Sequence, residues 1–416
     1  MRIMKIKNNY RLLLLFGMLV TGFLSCKRVD DYNEVVSTDN TKPGVITDMK
    51  VTDYNGGSYI TYKLPKSKNV LYVLAKYQIR DGVSRETKAS YYSDTVNVEG
   101  FAKAQDYIVT LYTVSRANVM SDAVTVTVHP KTPPFTLVSQ TSDISADFGG
   151  VHISAVNTLK RQVGIIVTKY DSLTQKMQIY DQHYTDADTI DYALHGLNTA
   201  TRNFGVYVTD KYGNISDTLK KSISPLFEQI LDKGLFSTFT LPSDTPIGYG
   251  WELSNIWNGS TDGSGSGWHT QPGNKPPFVC TFSVGKSYQL SRFTLWERPD
   301  NGGEKFAFGH GNPRFFTLWG TNVQSPKDAK LPVSSAVGTV VGDWVNLGNY
   351  TYPSPPSGLS PAAHNEADNA FVLAGVNFSV PLTAPPVRFL RVAVAQSWSN
   401  GDFAHFMEIA LYGKVN

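Results

Sequence analysis

Residues 107–115 read YIVTLYTVS, and the same alternation of apolar and polar positions returns in SYITYKL (58–64), VLYVLAKYQI (70–79) and AVTVTVHP (123–130). A period of two, filled by β-branched and aromatic residues, is the signature of a strand with one face on a core. Turn material such as DYNGGS (53–58) and RDGVSRE (80–86) separates the runs. Short strands at this spacing predict a sandwich of about 90 residues. We place it over residues 44–131, where KTPP (131–134) punctuates the chain.

Working outward, the theme repeats over residues 132–225 with VHISAVN (151–157), VGIIVTKY (163–170), KMQIYDQHY (176–184) and FGVYVTDKYGNISDTL (204–219). Gly100-Phe101 answers to Gly196-Leu197, and Ser121-Asp122 to Ser216-Asp217, at offsets of 96 and 95 residues. An offset close to the size of one sandwich predicts duplication, or at least a shared topology. Both stretches resemble fibronectin type III modules, in which a tyrosine-bearing strand is followed by a turn and a last strand. The resemblance implies spacers, without a ligand of their own.

The remaining stretch, residues 226–416, differs in composition, because all seven tryptophans lie in it. It opens with PLFEQILDKGLF (225–236), which predicts a short helix, and continues with strands and long Gly/Pro loops. These suggest a larger jelly-roll sandwich. IWNGSTDGSGSGWHT (256–270), FSVGKSYQLSRFTLWERP (282–299), GNPRFFTLWGTN (311–322) and RFLRVAVAQSWSNGDFAHFMEIALYG (388–413) together resemble the discoidin, or coagulation-factor type C, domain. That resemblance implies a galactose-binding-like β-sandwich with ligand loops at one end. The fold class expected for the whole chain is therefore all-β: two immunoglobulin/fibronectin-like sandwiches followed by a jelly-roll galactose-binding-like sandwich.

In RFTLWERP, Thr294, Trp296 and Arg298 share one strand face, opposite Phe293, Leu295 and Glu297. Arg298 offers a rigid donor fork for sugar hydroxyls. Trp296 has two readings, a ring on which the apolar face of a sugar packs or a member of the core. His310, Asn312 and Arg314 occupy the loop GHGNPRFF (309–316), and Trp398, Asn400, Asp402 and His405 the loop QSWSNGDFAHF (396–406). Aromatic rings beside amide, carboxylate and imidazole groups match a sugar ring, which presents both C–H faces and hydroxyl edges. The alternative for Asn312-Pro313 is ordinary turn chemistry. Trp398, flanked by Ser and Asn-Gly, is the aromatic expected to be most exposed, and Trp268 is assigned to the core. The discoidin resemblance also implies a structural calcium, for which Asn258, Asp262 and Glu408 with backbone carbonyls are the candidate oxygens. Asn258 stands where that family favours Asp. No His or Cys cluster has the sequence spacing of a zinc site.

At the N-terminus, Arg2, Lys5, Lys7 and Arg11 precede the apolar run Leu12–Leu24. A charged segment followed by an apolar one, shorter than the roughly 20 residues a spanning helix needs, is the pattern of an export signal, here residues 1–25. It ends in FLSC (23–26), which resembles a bacterial lipobox and implies lipidation of Cys26; Phe23 departs from the usual Leu. The following KRVDDYNE (27–34) resembles the acidic export tag of surface lipoproteins. Residues 26–43 read as a tether, with a reach of roughly 55 Å if fully extended.

The sequence has a formal net charge of +3, too small and too little clustered for a nucleic-acid partner. Charged residues make up 18%, below the usual quarter, while Gly, Pro and Tyr are plentiful, as in β-rich exported proteins. With Cys26 lipidated, Cys280 has no disulfide partner, so stability rests on buried area. There is no GxSxG or HExxH, and VGKS (284–287) carries Cys280 where a P-loop needs its first glycine. Catalysis is not expected. The whole arrangement resembles the surface glycan-binding lipoproteins of Sus-like polysaccharide-uptake systems. It implies a polysaccharide or oligosaccharide ligand, a lipid anchor in the outer membrane facing the cell exterior, and a Sus-like transporter complex as partner. A second reading is an adhesive or scaffold protein whose C-terminal unit binds another protein.

Overall fold

A computed structural model describes residues 37–416; the expected export signal, residues 1–25, and Cys26 lie outside the described residues. By chain contacts these fall into two compact units. One comprises the chain up to Leu137 together with Thr209–Ile215, the other Val138–Val208 with Ser216–Asn416.

In the first unit, strands Thr47–Tyr54, Gly57–Lys63 and Thr95–Glu99 form a three-stranded sheet. Val83–Ser90, Val70–Arg80, Tyr107–Ser115 and Val124–Val128 form a four-stranded one, in that order. The alternation in YIVTLYTVS does what its period requires: Tyr107, Val109 and Leu111 are buried while Ile108 is 67% exposed. Their core takes in Ile60, Tyr62, Val73, Tyr77, Val96, Val98 and Phe101 from the facing sheets.

The second unit begins with a helix tail and a second sandwich. The helix, Pro134–Thr141, starts at a proline, which suits a first helical position because its missing N–H has no partner to lose there. Strands Asp143–Asp147, Gly150–Val156 and Thr189–Leu194 make its three-stranded sheet. Lys176–Thr185, Val163–Asp171, Arg202–Thr209 and Leu219–Ile223 make the four-stranded one. In chain order, strands one, two and five pair in one sheet and four, three, six and seven in the other, in both sandwiches. The near-constant offset in the sequence is thus a shared topology.

The C-terminal stretch builds a nine-stranded sheet. Its organising element is Phe278–Trp296, a 19-residue strand. The first part pairs with Val387–Ser397, from Phe278↔Val394 to Ser283↔Phe389, and the second with Glu408–Val415, from Tyr288↔Val415 to Trp296↔Glu408. The change of partner falls at Gly285, with φ +81°, where an added Cβ would meet Leu235 Cβ at 2.8 Å. A side chain there meets both a left-handed backbone and a collision. The core is aromatic and aliphatic: Trp268, Phe278, Phe282, Phe293, Leu295, Phe316, Val394, Phe406 and Ile409 are almost completely buried. Trp319 and Trp344 anchor a second cluster with Leu241 and Phe389.

The helix predicted over 225–236 is absent. Gln229 and Ile230 pair with Gly413 and Tyr412 as a short strand, and only Lys233–Leu235 turns, as a single 3-10 turn capped by Asp232. A lone segment of this length does not pay for helix nucleation when strand pairing satisfies its backbone.

Candidate functional site

The alternation in RFTLWERP holds at its end: Phe293, Leu295 and Glu297 are fully buried and Trp296 and Arg298, on the other face, are half-buried, whereas Thr294, on that same face, is also buried. Their fates then differ. The ring of Trp296 packs against Gly375, where an added Cβ would lie 2.5 Å from its Cε2, so the ring is covered by the end of the helix Glu366–Ala374. Arg298 comes off the end of its strand, and its guanidinium lies 3.5 Å from the ring centroid of Phe306 and 5.0 Å from that of Trp251. Its Nε is buried with no hydrogen-bond partner among the described residues.

Asn312 fixes Arg298. Buried completely, its side-chain oxygen accepts from Arg298 N–H at 2.8 Å and its amide donates to the carbonyls of Arg298 and Phe306, both at 2.9 Å. All its polar capacity is spent inside the protein, so its place is to position the loop.

The next layer is imidazole. Trp268–His269 and His405–Phe406 pair as two short antiparallel strands, which sets His269 directly across from His405. Their rings stack with centroids 5.2 Å apart. His310 arrives from the opposite loop with its Nδ1 2.7 Å from His405 Nε2, and Gly311 N–H donates to the same nitrogen at 3.1 Å. Only glycine fits at 311, since a Cβ would sit 2.7 Å from both His405 and Phe403. His310 and Phe308 are held at φ +52°, a conformation that costs a non-glycine residue free energy and gathers at functional sites. Around the three imidazoles stand Phe403, stacked on His269 at 5.0 Å, Tyr249 edge-on to His269 at 5.0 Å, Trp251 and Phe306. Tyr249 is 74% exposed.

Electrostatics keep these rings neutral. Burial lowers the pKa of His269 and His310, and the Arg298 charge adds to it. His405 is held well below the ordinary imidazole value, first by burial, then by His269, His310 and Arg298. Burial lowers Arg298 as well. The site is thus an aromatic collar around one fixed cation, with neutral imidazoles as hydrogen-bonding groups.

The second predicted loop is brought near but turned differently. Trp398 N–H donates to Asn312 O at 2.9 Å and Ser399 N–H to His310 O at 3.1 Å, so the two loops are stitched together. The Trp398 ring, however, faces the interior. Its Nε1–H donates to the buried Glu297 at 2.8 Å, its ring meets Phe308 edge-on, and the Arg314 guanidinium caps it at 5.1 Å. The exposure expected from its polar flanks is not what the structure shows, because a buried carboxyl behind the loop draws the indole inward. Asn400 is exposed at a left-handed turn, and Asp402 accepts from Gly273 N–H at 2.8 Å, tying down the loop before Phe278. Trp251, His269, Phe306, Phe403 and Tyr249 did not stand out in the sequence. The signal that could have found Tyr249 and Trp251 is their place in the glycine-punctuated run IGYGWEL (247–253).

The calcium cage does not fit the residues present. Glu408, almost wholly buried, takes the ammonium of Lys233 on one oxygen and Gly259 N–H on the other at 2.9 Å. Asp262 accepts from the backbone and hydroxyl of Ser264, and Asn258 from Ser260 N–H, each within its own exposed turn. A lysine ammonium stands where a cation would have to meet the buried carboxylate.

No curated protein matches this chain. Among solved structures, a SusE-like protein is 24% identical, with 68% of this chain and 100% of that chain covered at a TM-score of 0.40. The C-terminal domain of a chitobiase from Bacteroides fragilis is 12% identical, with coverages of 45% and 99% and a TM-score of 0.30. A GH31 CBM32-2 structure bound to GalNAc is 14% identical, with coverages of 45% and 99% and a TM-score of 0.28. Residues 43–130, 131–234 and 257–413 match three families, each described as a domain of unknown function.

Proposed function

We propose that this chain is a non-catalytic cell-surface glycan-binding lipoprotein that captures polysaccharide for an outer-membrane uptake system, with the sugar seated over Arg298 at one end of the C-terminal sandwich. The observation that carries this reading is the Arg298 guanidinium, clamped over Phe306 and beside Trp251, with a buried Nε that has no partner among the described residues. A pyranose needs what surrounds it: a planar ring for its C–H face, a rigid donor fork for vicinal hydroxyls, and neutral imidazole edges such as His310. In this reading Arg298 and His310 touch sugar, Asn312 and Trp398 hold the two loops, and the collar aromatics Trp251 and Tyr249 provide the platform. Residues 44–131 and 132–225 serve as spacers, Cys26 carries the lipid, and a transporter of the Sus-like type receives the cargo.

The test is calorimetry of the full chain against a glycan panel that includes GalNAc, with Arg298→Ala and Arg298→Lys alongside. An open site predicts micromolar to millimolar binding, about 4 to 8 kcal/mol. Arg298→Ala should abolish it, and Arg298→Lys, a point charge in place of a fork, should fail to restore it. Unaltered glycan binding by Arg298→Ala, or a panel that yields no ligand while the site captures a protein instead, overturns the proposal.

A further inference from the structure

Three histidines far apart in the sequence, at 269, 310 and 405, each present a ring nitrogen within 4.8 Å of the other two. We propose that His269, His310 and His405 form a binding site for a divalent transition-metal ion of the imidazole-preferring class, Zn2+ or Cu2+. The proposal is independent of whether the neighbouring collar binds sugar.

Three features of the geometry carry it. First, a tetrahedral ion with metal–nitrogen bonds of about 2.0–2.1 Å holds its ligand nitrogens roughly 3.3 Å apart. The observed spacings bracket that value, from 2.7 Å between His310 Nδ1 and His405 Nε2 up to the 4.8 Å limit of the group. Second, the tautomers of His269 and His405 are already set. His269 Nδ1 lies 2.6 Å from Thr270 O, so that nitrogen carries the proton and Nε2 keeps its lone pair. A backbone carbonyl behind a ligating histidine is the usual outer-shell partner. His405 Nε2 accepts from Gly311 N–H, so its proton sits on Nδ1, which is buried without a partner among the described residues. An ion that reaches His405 Nε2 displaces that long hydrogen bond and parts the 2.7 Å contact with His310 Nδ1, whose proton moves to His310 Nε2. Third, access and rigidity are divided usefully. His269 and His405 are buried and fixed by strand pairing, while His310 lies exposed on the facing loop with its Nδ1 2.7 Å from His405 Nε2.

Arg298 disfavours every dication here equally, and the imidazole donors supply the preference for Zn2+ or Cu2+ over the oxygen-seeking Mg2+ and Ca2+.

The experiment titrates tag-free full chain with Zn2+ by calorimetry and with Co2+ by visible absorption, whose intensity reports tetrahedral nitrogen ligation. His310→Asn is the informative variant, because Asn tolerates the left-handed backbone at φ +52° and the side chain it replaces is exposed. One Zn2+ per chain, an intense Co2+ spectrum, no saturable uptake of Ca2+, and a loss on the order of 100-fold in His310→Asn is the expected result. His129→Ala, a change at an exposed histidine of the first sandwich, should leave binding intact. Absence of one-to-one Zn2+ binding, equal affinity in His310→Asn, or loss of binding in His129→Ala overturns the proposal.

Discussion

At the scale of single residues, Glu297 shows how a group with no contact to ligand shapes the site. It is the third residue of the buried face Phe293, Leu295, Glu297, and burial pushes its carboxyl well above the usual range. One oxygen accepts from Trp398 Nε1–H; the other is buried with no partner among the described residues. The folded-state pKa exceeds the unfolded one, so the native protein keeps a proton that the unfolded chain releases above about 4.3. This contribution to stability is complete below that pH and lost as pH rises through the folded value. Thermal melts from acid to mildly alkaline pH should therefore show a stability decline in the wild-type protein that is flatter in Glu297→Gln, where nothing ionises. Parallel pH profiles for the two proteins would refute the assignment. The sequence placed Glu297 on the inward face but could not show why a carboxyl belongs there. Its partner Trp398 lies 101 residues away, and strand periodicity carries no information about such a pair.

At the scale of elements, the strands were legible and the turns between them were not. Alternation located Tyr107–Ser115, because burial of one face is a local constraint that every second residue must obey, whereas Val163–Asp171 and Phe278–Trp296, buried on both faces at their starts, were legible as β-branched and aromatic runs. The stretch 225–236 misled, because its apolar spacing fits a helix equally well and the deciding factor is a distant edge, Glu408–Val415. Calcium was expected from the discoidin resemblance; the same distant pairing explains why Lys233 stands in its place. The 3-10 turn Lys233–Leu235 delivers an ammonium onto Glu408, whose carboxyl pKa burial raises even against that ammonium. Lys233→Met should cost roughly 2–3 kcal/mol, below the full value for a broken buried pair because Lys233 is partly exposed. Added Ca2+ should not move the melting temperature of the wild-type protein. A rise of several degrees on adding Ca2+ would show that the ammonium is displaced and the cage is real.

At the scale of the whole molecule, the all-β architecture was readable because each sandwich repeats its own internal logic, seven strands split three and four in both of the first two. The site was readable only in part. Arg298, His310, Asn312 and His405 do come together, but the collar of Trp251, Phe306 and Phe403 is assembled from loops whose juxtaposition exists only in three dimensions. In the proposed reading, what the chain does on a cell depends further on Cys26, outside the described residues. A single short acyl chain holds a protein at a membrane only marginally, at about 0.8 kcal/mol per buried methylene, so the multiply acylated cysteine implied by FLSC is what would keep many copies on one surface. Density then matters more than the strength of any one site: weak open sites displayed side by side on one polysaccharide gain avidity of 10²–10⁴ without a new contact. Cys26→Ala should accordingly leave the affinity of the purified protein for a short oligosaccharide unchanged while abolishing capture of polysaccharide by whole cells, the protein moving to the soluble fraction. Retention of the variant in the membrane fraction with undiminished surface labelling would mean that something other than Cys26 anchors the chain. Normal capture by cells that have lost the protein from their membranes would mean that display, and with it the proposed uptake role, is mistaken.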